Sequence, residues 1–155
     1  MLYFEDFQPG LVLTVDETYE LTEEEIIEVG RRWDPQPFHT DPDAAGDSIF
    51  GGLVASSVHL FAASSHLGLK LPEPVAIAAA LGFDEVRWHH PARPGDSLSF
   101  RLNTISTRPS SSRPECGILS TRSEIHNQNG ELVFSYASAS LVFRRPTQSE
   151  STPRS

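Results

Sequence analysis

The sequence predicts an α+β fold in which a curved antiparallel sheet wraps around one long central helix. Three observations predict it. A stretch from Ile49 to Leu69 carries no Asp, Glu, Lys or Arg, four strand-like runs follow it between Val75 and Arg144, and a well-capped helix precedes it. One buried helix followed by strands joined through short turns packs most economically with the sheet folded around the helix on all sides.

The elements follow in order. Leu11 to Tyr19 alternates and is β-branched enough for a first strand. Thr22 with Glu25 three residues on forms a capping box, and Leu21 and Ile26 are placed as a hydrophobic staple, so a helix runs from about Glu23 to Trp33. Asp34-Pro35 ends it, because the residue before proline is disfavoured in the α region. Asp41 caps a short helical turn with Pro42 at its first position. Phe50-Gly51-Gly52 then opens the uncharged helix, whose apolar residues fall on every side (Leu53, Val54, Val58, Leu60, Phe61, Leu67) and mark it as buried. The strand-like runs are Val75 to His89, Ser97 to Ser106, Cys116 to Asn127 and Glu131 to Arg144. Asn129-Gly130 predicts a type I′ hairpin between the last two.

Composition narrows the function classes. The 155 residues predict a single domain over 1–146 and a polar, disordered tail over 147–155. A net charge of −9 with a single lysine, Lys70, argues against nucleic acid as a partner. The uncharged stretch holds too many Gly, Ser and His residues for a membrane span, so no membrane partner is expected. Met1 leads straight into Tyr3, Glu5 and Asp6 without the pattern of a secretory leader, which makes the cytoplasm the expected location. Cys116, the one cysteine, allows no internal disulfide and is assigned no chemistry.

The chemistry concentrates in Asp34-Pro35-Gln36-Pro37-Phe38-His39-Thr40-Asp41. Five residues along an α-helix would point Asp34 and His39 about 140° apart. Pro35 and Pro37 predict a rigid extended loop instead, able to aim a carboxylate and an imidazole at one spot. Such a pair suits proton transfer near neutral pH. Further His or Cys residues at ligand spacing are lacking, so no metal is expected. Gly51 and Gly52, at the predicted helix start, would let a ligand carbonyl approach free N–H groups and the positive end of the helix dipole. Such an N-terminus can hold a developing oxyanion.

These segments resemble a known family. The eight residues from Asp34 to Asp41 are similar to the hydratase motif of the MaoC-like acyl dehydratases and (R)-specific enoyl-CoA hydratases, which reads Asp-any-Asn-Pro-apolar-His-any-Asp. Phe50-Gly51-Gly52-Leu53-Val54-Ala55-Ser56 resembles the glycine turn that opens the family's central helix. Arg87-Trp88, Pro91 and Arg93-Pro94-Gly95-Asp96 resemble its later strand and turn. The resemblance implies a hotdog fold and a substrate held as a thioester of coenzyme A or of a carrier protein. It also implies reversible hydration of a 2-enoyl thioester to the 3-hydroxyacyl thioester, without a cofactor, in a homodimer or higher homo-oligomer. Asp34 and His39 are then the catalytic pair and the Gly52 N–H, beside Gly51, the main oxyanion donor. Gln36, Phe38, Ser57 and Arg93 complete the set as candidate substrate-binding residues. Gln36 stands where the family has Asn, Gly51 where it often has His, and Leu60 where some members carry a water-binding serine.

The remaining polar residues have plainer expectations. His59 and His66, seven apart on one helix face, are read as hydrogen-bonded core or tunnel lining. Of His89 and His90, one is expected to face a ligand and the other solvent, and Ser56 and Ser57 to lie one turn into the helix. Two other function classes stay open, a hotdog acyl-CoA thioesterase and a non-catalytic acyl-CoA-binding module. The first usually needs an acid on the central helix, where this chain has none, and the second has no need of an acid/base pair.

Overall fold

The computed structural model describes residues 1–147. The tail expected over 147–155 lies, beyond its first residue, outside them. Strands β1 (Val12–Thr14) and β2 (Tyr19–Glu20) precede helices α1 (Glu23–Trp33), α2 (Pro37–Thr40), α3 (Pro42–Gly46) and α4 (Ser57–Gly68). Four long strands follow, β3 (Ile77–Trp88), β4 (Ser97–Pro109), β5 (Cys116–His126) and β6 (Leu132–Phe143). The sheet order is β1-β4-β5-β6-β3, with β2 also on β4, and every strand pairing is antiparallel. No helix of the described residues is long and apolar enough to cross a membrane.

Two strand predictions change for local reasons. The expected strand from Leu11 to Tyr19 is broken in two: Thr14 pairs with Arg101 and Tyr19 with Leu98, so five steps on one side meet three on the other. The surplus loops out at the exposed Asp16-Glu17-Thr18 while Val15 stays buried. The hairpin joins β5 to β6 as expected but is not type I′, because Gly130 has φ +75° whereas Asn129 does not have positive φ. Gly130 N–H donates to the Asn127 carbonyl (3.0 Å), and Asn127 Oδ1 accepts from the N–H groups of Asn129 and Glu131, both at 3.0 Å. That is a three-residue loop closed by a left-handed glycine.

Helix α4 lies in the concave face of the sheet, with Leu60, Ala63 and Leu67 packed against Leu98, Phe100, Ile125 and Phe134. It is not buried all round. Val58, Ala62, Ser65 and His66 form an exposed stripe, so a single copy of the sheet covers only one side of the helix. The other end of the concave face is stopped by Phe4, whose ring lies over Gly117 so closely that a β-carbon there would sit 2.1 Å from it. Strand β3, at the free edge, is exposed almost throughout and carries Ile77, Leu81, Phe83 and Trp88 at 49, 52, 55 and 55% exposure.

Candidate active site

The site is assembled by the end of α1, the short helix α2 and the segment leading into α4. Thr22 caps α1 by accepting from the Glu25 N–H (3.2 Å). The reciprocal half of the predicted capping box is absent, because the Glu25 carboxylate turns inward to Tyr19 Oη and to His59 Nε2, the latter at 3.4 Å. Asp34 closes α1, its N–H on the Gly30 carbonyl (2.9 Å). The prolyl segment then departs from the extended loop predicted for it. Gln36 is extended and its N–H turns back to the Asp34 carbonyl (2.8 Å), but Pro37 occupies the first position of the single-turn helix α2, where its missing N–H costs nothing. His39 therefore sits in a helical turn, and only the break at Asp34–Gln36 lets both side chains face one point.

Gly30 makes that arrangement possible and went unnoticed in the sequence. A β-carbon there would lie 2.6 Å from the His39 carbonyl oxygen and 2.9 Å from the His39 β-carbon, so α2 rests directly on the backbone of α1. A glycine inside an otherwise strong helix costs about 1 kcal/mol against alanine. That local cost was the available signal.

His39 is buried, and its Nδ1 donates to the Val54 carbonyl (2.6 Å). A carbonyl only accepts, so Nδ1 carries a proton, and the neutral tautomer this selects presents the Nε2 lone pair. Nε2 lies 3.5 Å from Asp34 Oδ2. Two proton acceptors thus face each other across a gap that a donor touching both would fill. They open onto a cleft of about 450 Å³, lined also by Phe38, Ser57, Leu60, Trp88, His89 and Pro91. The Phe38 ring meets the His39 and Phe50 rings edge-on.

The structure moves the start of the central helix away from the two glycines. Helix α4 begins at Ser57, capped by Ser56, whose hydroxyl accepts from the His59 N–H (3.4 Å). Gly51 and Gly52 lie upstream of it, in a turn where Gly51 has φ +66° and donates to the Ser48 carbonyl (3.0 Å). The intervening Leu53–Ser56 segment is kept out of the helix by tertiary partners. Val54 N–H donates to the Phe38 carbonyl (3.1 Å) and Ala55 N–H to the Ala92 carbonyl (2.9 Å). Neither glycine lines the cleft, whereas Ser57, the first helical residue, does. The free N–H groups of the first turn thus start at Ser57 rather than at Gly52.

The weaker candidates divide. Phe38 and Ser57 line the cleft, while Gln36 is exposed, caps α2 and accepts through its main-chain carbonyl from His39 N–H (2.9 Å) and Thr40 Oγ1 (3.1 Å). The Arg93 guanidinium is committed to the Phe50 carbonyl and abuts Gly52, so it braces the glycine turn. Both His89 and His90 line the cleft. His89 Nε2 is 2.8 Å from Ser135 Oγ, and His90 Nε2 is 3.2 Å from Glu131 Oε2. The Asn127 amide, bonded to Glu131, holds that carboxyl below its ordinary range, with Asn129 and His90 adding to the effect. His59 is buried away from the cleft, and burial lowers its pKa more than the Glu25 carboxylate raises it. Asp41 Oδ1 caps α3 as predicted, accepting from Asp43 and Ala44 N–H (3.0 and 3.3 Å). Among the described residues no three His, Cys, Asp or Glu side chains come together as a metal site.

Known proteins match this arrangement. The family model of the MaoC-like domain matches residues 6–123. A mesaconyl-CoA hydratase of Haloarcula hispanica is 39% identical over 66 residues, covering 42% of this chain and 18% of its own. The MaoC protein of Klebsiella aerogenes is 36% identical over 103 residues, covering 64% of this chain and 30% of its own. The chain thus spans less than a third of the length of these curated relatives. The crystal structure of a MaoC-like dehydratase from Rhodospirillum rubrum superimposes with a TM-score of 0.88 at 36% identity, over 95% of this chain and all of that one. An R-hydratase of Pseudomonas aeruginosa shares the fold, with a TM-score of 0.72 at 20% identity over 99% of this chain and 95% of its own. A helix cradled in an antiparallel sheet, an Asp–His pair before it, and a family model spanning most of the chain agree: the protein has the hotdog fold and belongs to the MaoC-like dehydratase family.

Proposed function

We propose that the protein is an acyl thioester hydratase/dehydratase. It adds water reversibly across the double bond of a 2-enoyl thioester, of coenzyme A or of a carrier protein, to give the 3-hydroxyacyl thioester. The observation that carries the reading is the pair of acceptors, Asp34 Oδ2 and His39 Nε2, 3.5 Å apart in a cleft that the N-terminus of α4 also enters.

The chemistry follows from that geometry. A water molecule donating to both acceptors is held and made more nucleophilic. The thioester carbonyl accepts from the Ser57 N–H, where the helix dipole favours the negative charge that grows as water attacks C3. One acceptor takes the water proton as the C3–O bond forms. That proton then reaches C2 from the same group, or from its neighbour across the gap, as the enolate collapses, so water is fully accounted for as C3–OH and C2–H. The reverse sequence is dehydration. No cofactor is needed for either direction.

A second copy of the chain completes this reading. Edge β3 exposes an unpaired ladder together with Ile77, Leu81 and Phe83, an arrangement that pairs with another strand unless something blocks it. A homodimer joined along β3 would cover it, and size-exclusion chromatography with light scattering reads the state directly.

The test of the reaction is the fall in enoyl thioester absorbance on adding enzyme to 2-butenoyl-CoA and its longer and branched analogues. Asp34→Asn and His39→Ala should each lower turnover by about 10²–10⁴-fold. Equal traces from wild type and both variants would end the hydratase reading, and release of free thiol would replace it with a thioesterase.

A further inference from the structure

Two cavities flank α4, and what lies between them is informative. The catalytic cleft reaches along the helix only as far as Leu60. A second cavity of about 210 Å³ starts at Gly68 and is lined by Leu71, Val75, Leu102, Leu119 and Ser138. Leu60 and Gly68 are eight residues apart, about 12 Å along the helix. The space between is filled by Phe61 and Ser64 of α4 against Phe134 and Tyr136 of β6, none of which lines either cavity.

This partition is built to stay closed. The Phe61 ring contacts those of Phe134 and Tyr136, with centroids at 4.9 and 5.2 Å, and Trp88 in the cleft wall packs on Phe134 at 5.8 Å. Ser64 Oγ and Tyr136 Oη, both buried, are 2.8 Å apart and bond to each other. Swinging Tyr136 aside would leave two buried hydroxyls without partners, which the interior penalises.

Resting on the hydratase reading of the cleft, we infer that this partition sets the acyl-length limit, with Phe61 and Tyr136 as specificity-determining residues for short-chain substrates. A carbonyl held at the Ser57 N–H lies about 6 Å along the helix from Phe61. At bond lengths near 1.5 Å that leaves room for about four to six acyl carbons. The second cavity is the space a longer chain would enter if the partition were removed.

Binding of saturated acyl-CoAs, which cannot be hydrated, separates this inference from the reaction itself. Calorimetric titration with butyryl-CoA and decanoyl-CoA should show wild type preferring the shorter chain by about tenfold or more. Phe61→Ala and, separately, Tyr136→Leu should raise decanoyl-CoA affinity and erase most of that preference. Tyr136→Phe, which keeps the ring, should retain it. The melting curve of each variant identifies any that fails to fold, and either substitution alone suffices. Equal binding of both chains by wild type, no binding of either, or an unchanged preference in a folded Phe61→Ala or Tyr136→Leu variant would overturn the inference. The length preference without enoyl hydration would leave the partition standing and remove the hydratase.

Discussion

Gly30→Ala tests the geometry of the site without altering Asp34 or His39. Alanine is the better helix former by about 1 kcal/mol, so on local grounds the variant should be more stable. The tertiary contact reverses the sign. The new β-carbon would lie 2.6 Å from the His39 carbonyl oxygen, against an ordinary contact of at least 3.4 Å. The obstacle is backbone, so no rotamer change relieves it, and α2 must move away by several tenths of an ångström to about 1 Å. His39 moves with it, widening the 3.5 Å gap to Asp34 while its Nδ1 bond to Val54 resists. A misplacement of about 1 Å at a reacting group costs roughly 10²-fold in rate. Hydration of 2-butenoyl-CoA should therefore fall by about that factor, with a melting temperature that stays level or drops. A Gly30→Ala enzyme with wild-type turnover and a raised melting temperature would refute the reasoning, since it would show that α2 does not need the glycine.

Other outcomes follow from the same contacts. Arg93→Gln removes a charged hydrogen bond to the Phe50 carbonyl, and should cost about 1.5–3 kcal/mol in chemical denaturation; an unchanged midpoint would show that the glycine turn needs no brace. Gly117→Ala drives a β-carbon into the Phe4 ring and should destabilise by about 1–3 kcal/mol, as overpacking does. Pairing it with Phe4→Ala should return part of that loss, and a purely additive result would exclude the clash. His59 has a folded pKa below its ordinary 6.5, from burial first, so the unfolded chain binds the extra proton. Stability is therefore fully present above pH 6.5 and declines as pH falls from there toward the folded value. Melting temperatures across that range should show the slope in wild type and its reduction in His59→Gln; equal slopes would assign it to other groups.

The parts of this protein that the sequence determined are those set by neighbours along the chain. Thr22 and Asp34-Pro35 bound α1 at Glu23 and Trp33 because caps and pre-proline sterics act within a few residues. The pairing of β5 with β6 followed from Asn129-Gly130 in the same way, although which turn closed it depended on where Asn127 could bond. That Asp34 and His39 would meet was also legible, since the two side chains and two prolines lie within one short segment.

Tertiary structure decided the rest, wherever a partner lay far off in sequence. Leu53–Ser56 stays non-helical because Phe38 and Ala92 bond to it, and that moves the start of α4 from the glycine turn to Ser57. The glycines serve the turn that Arg93 braces, and Gly30, an apparent flaw in a helix, is the seat of His39. A motif can announce which side chains share a site. Where the free N–H groups meet them depends on contacts between segments that only the folded chain brings together.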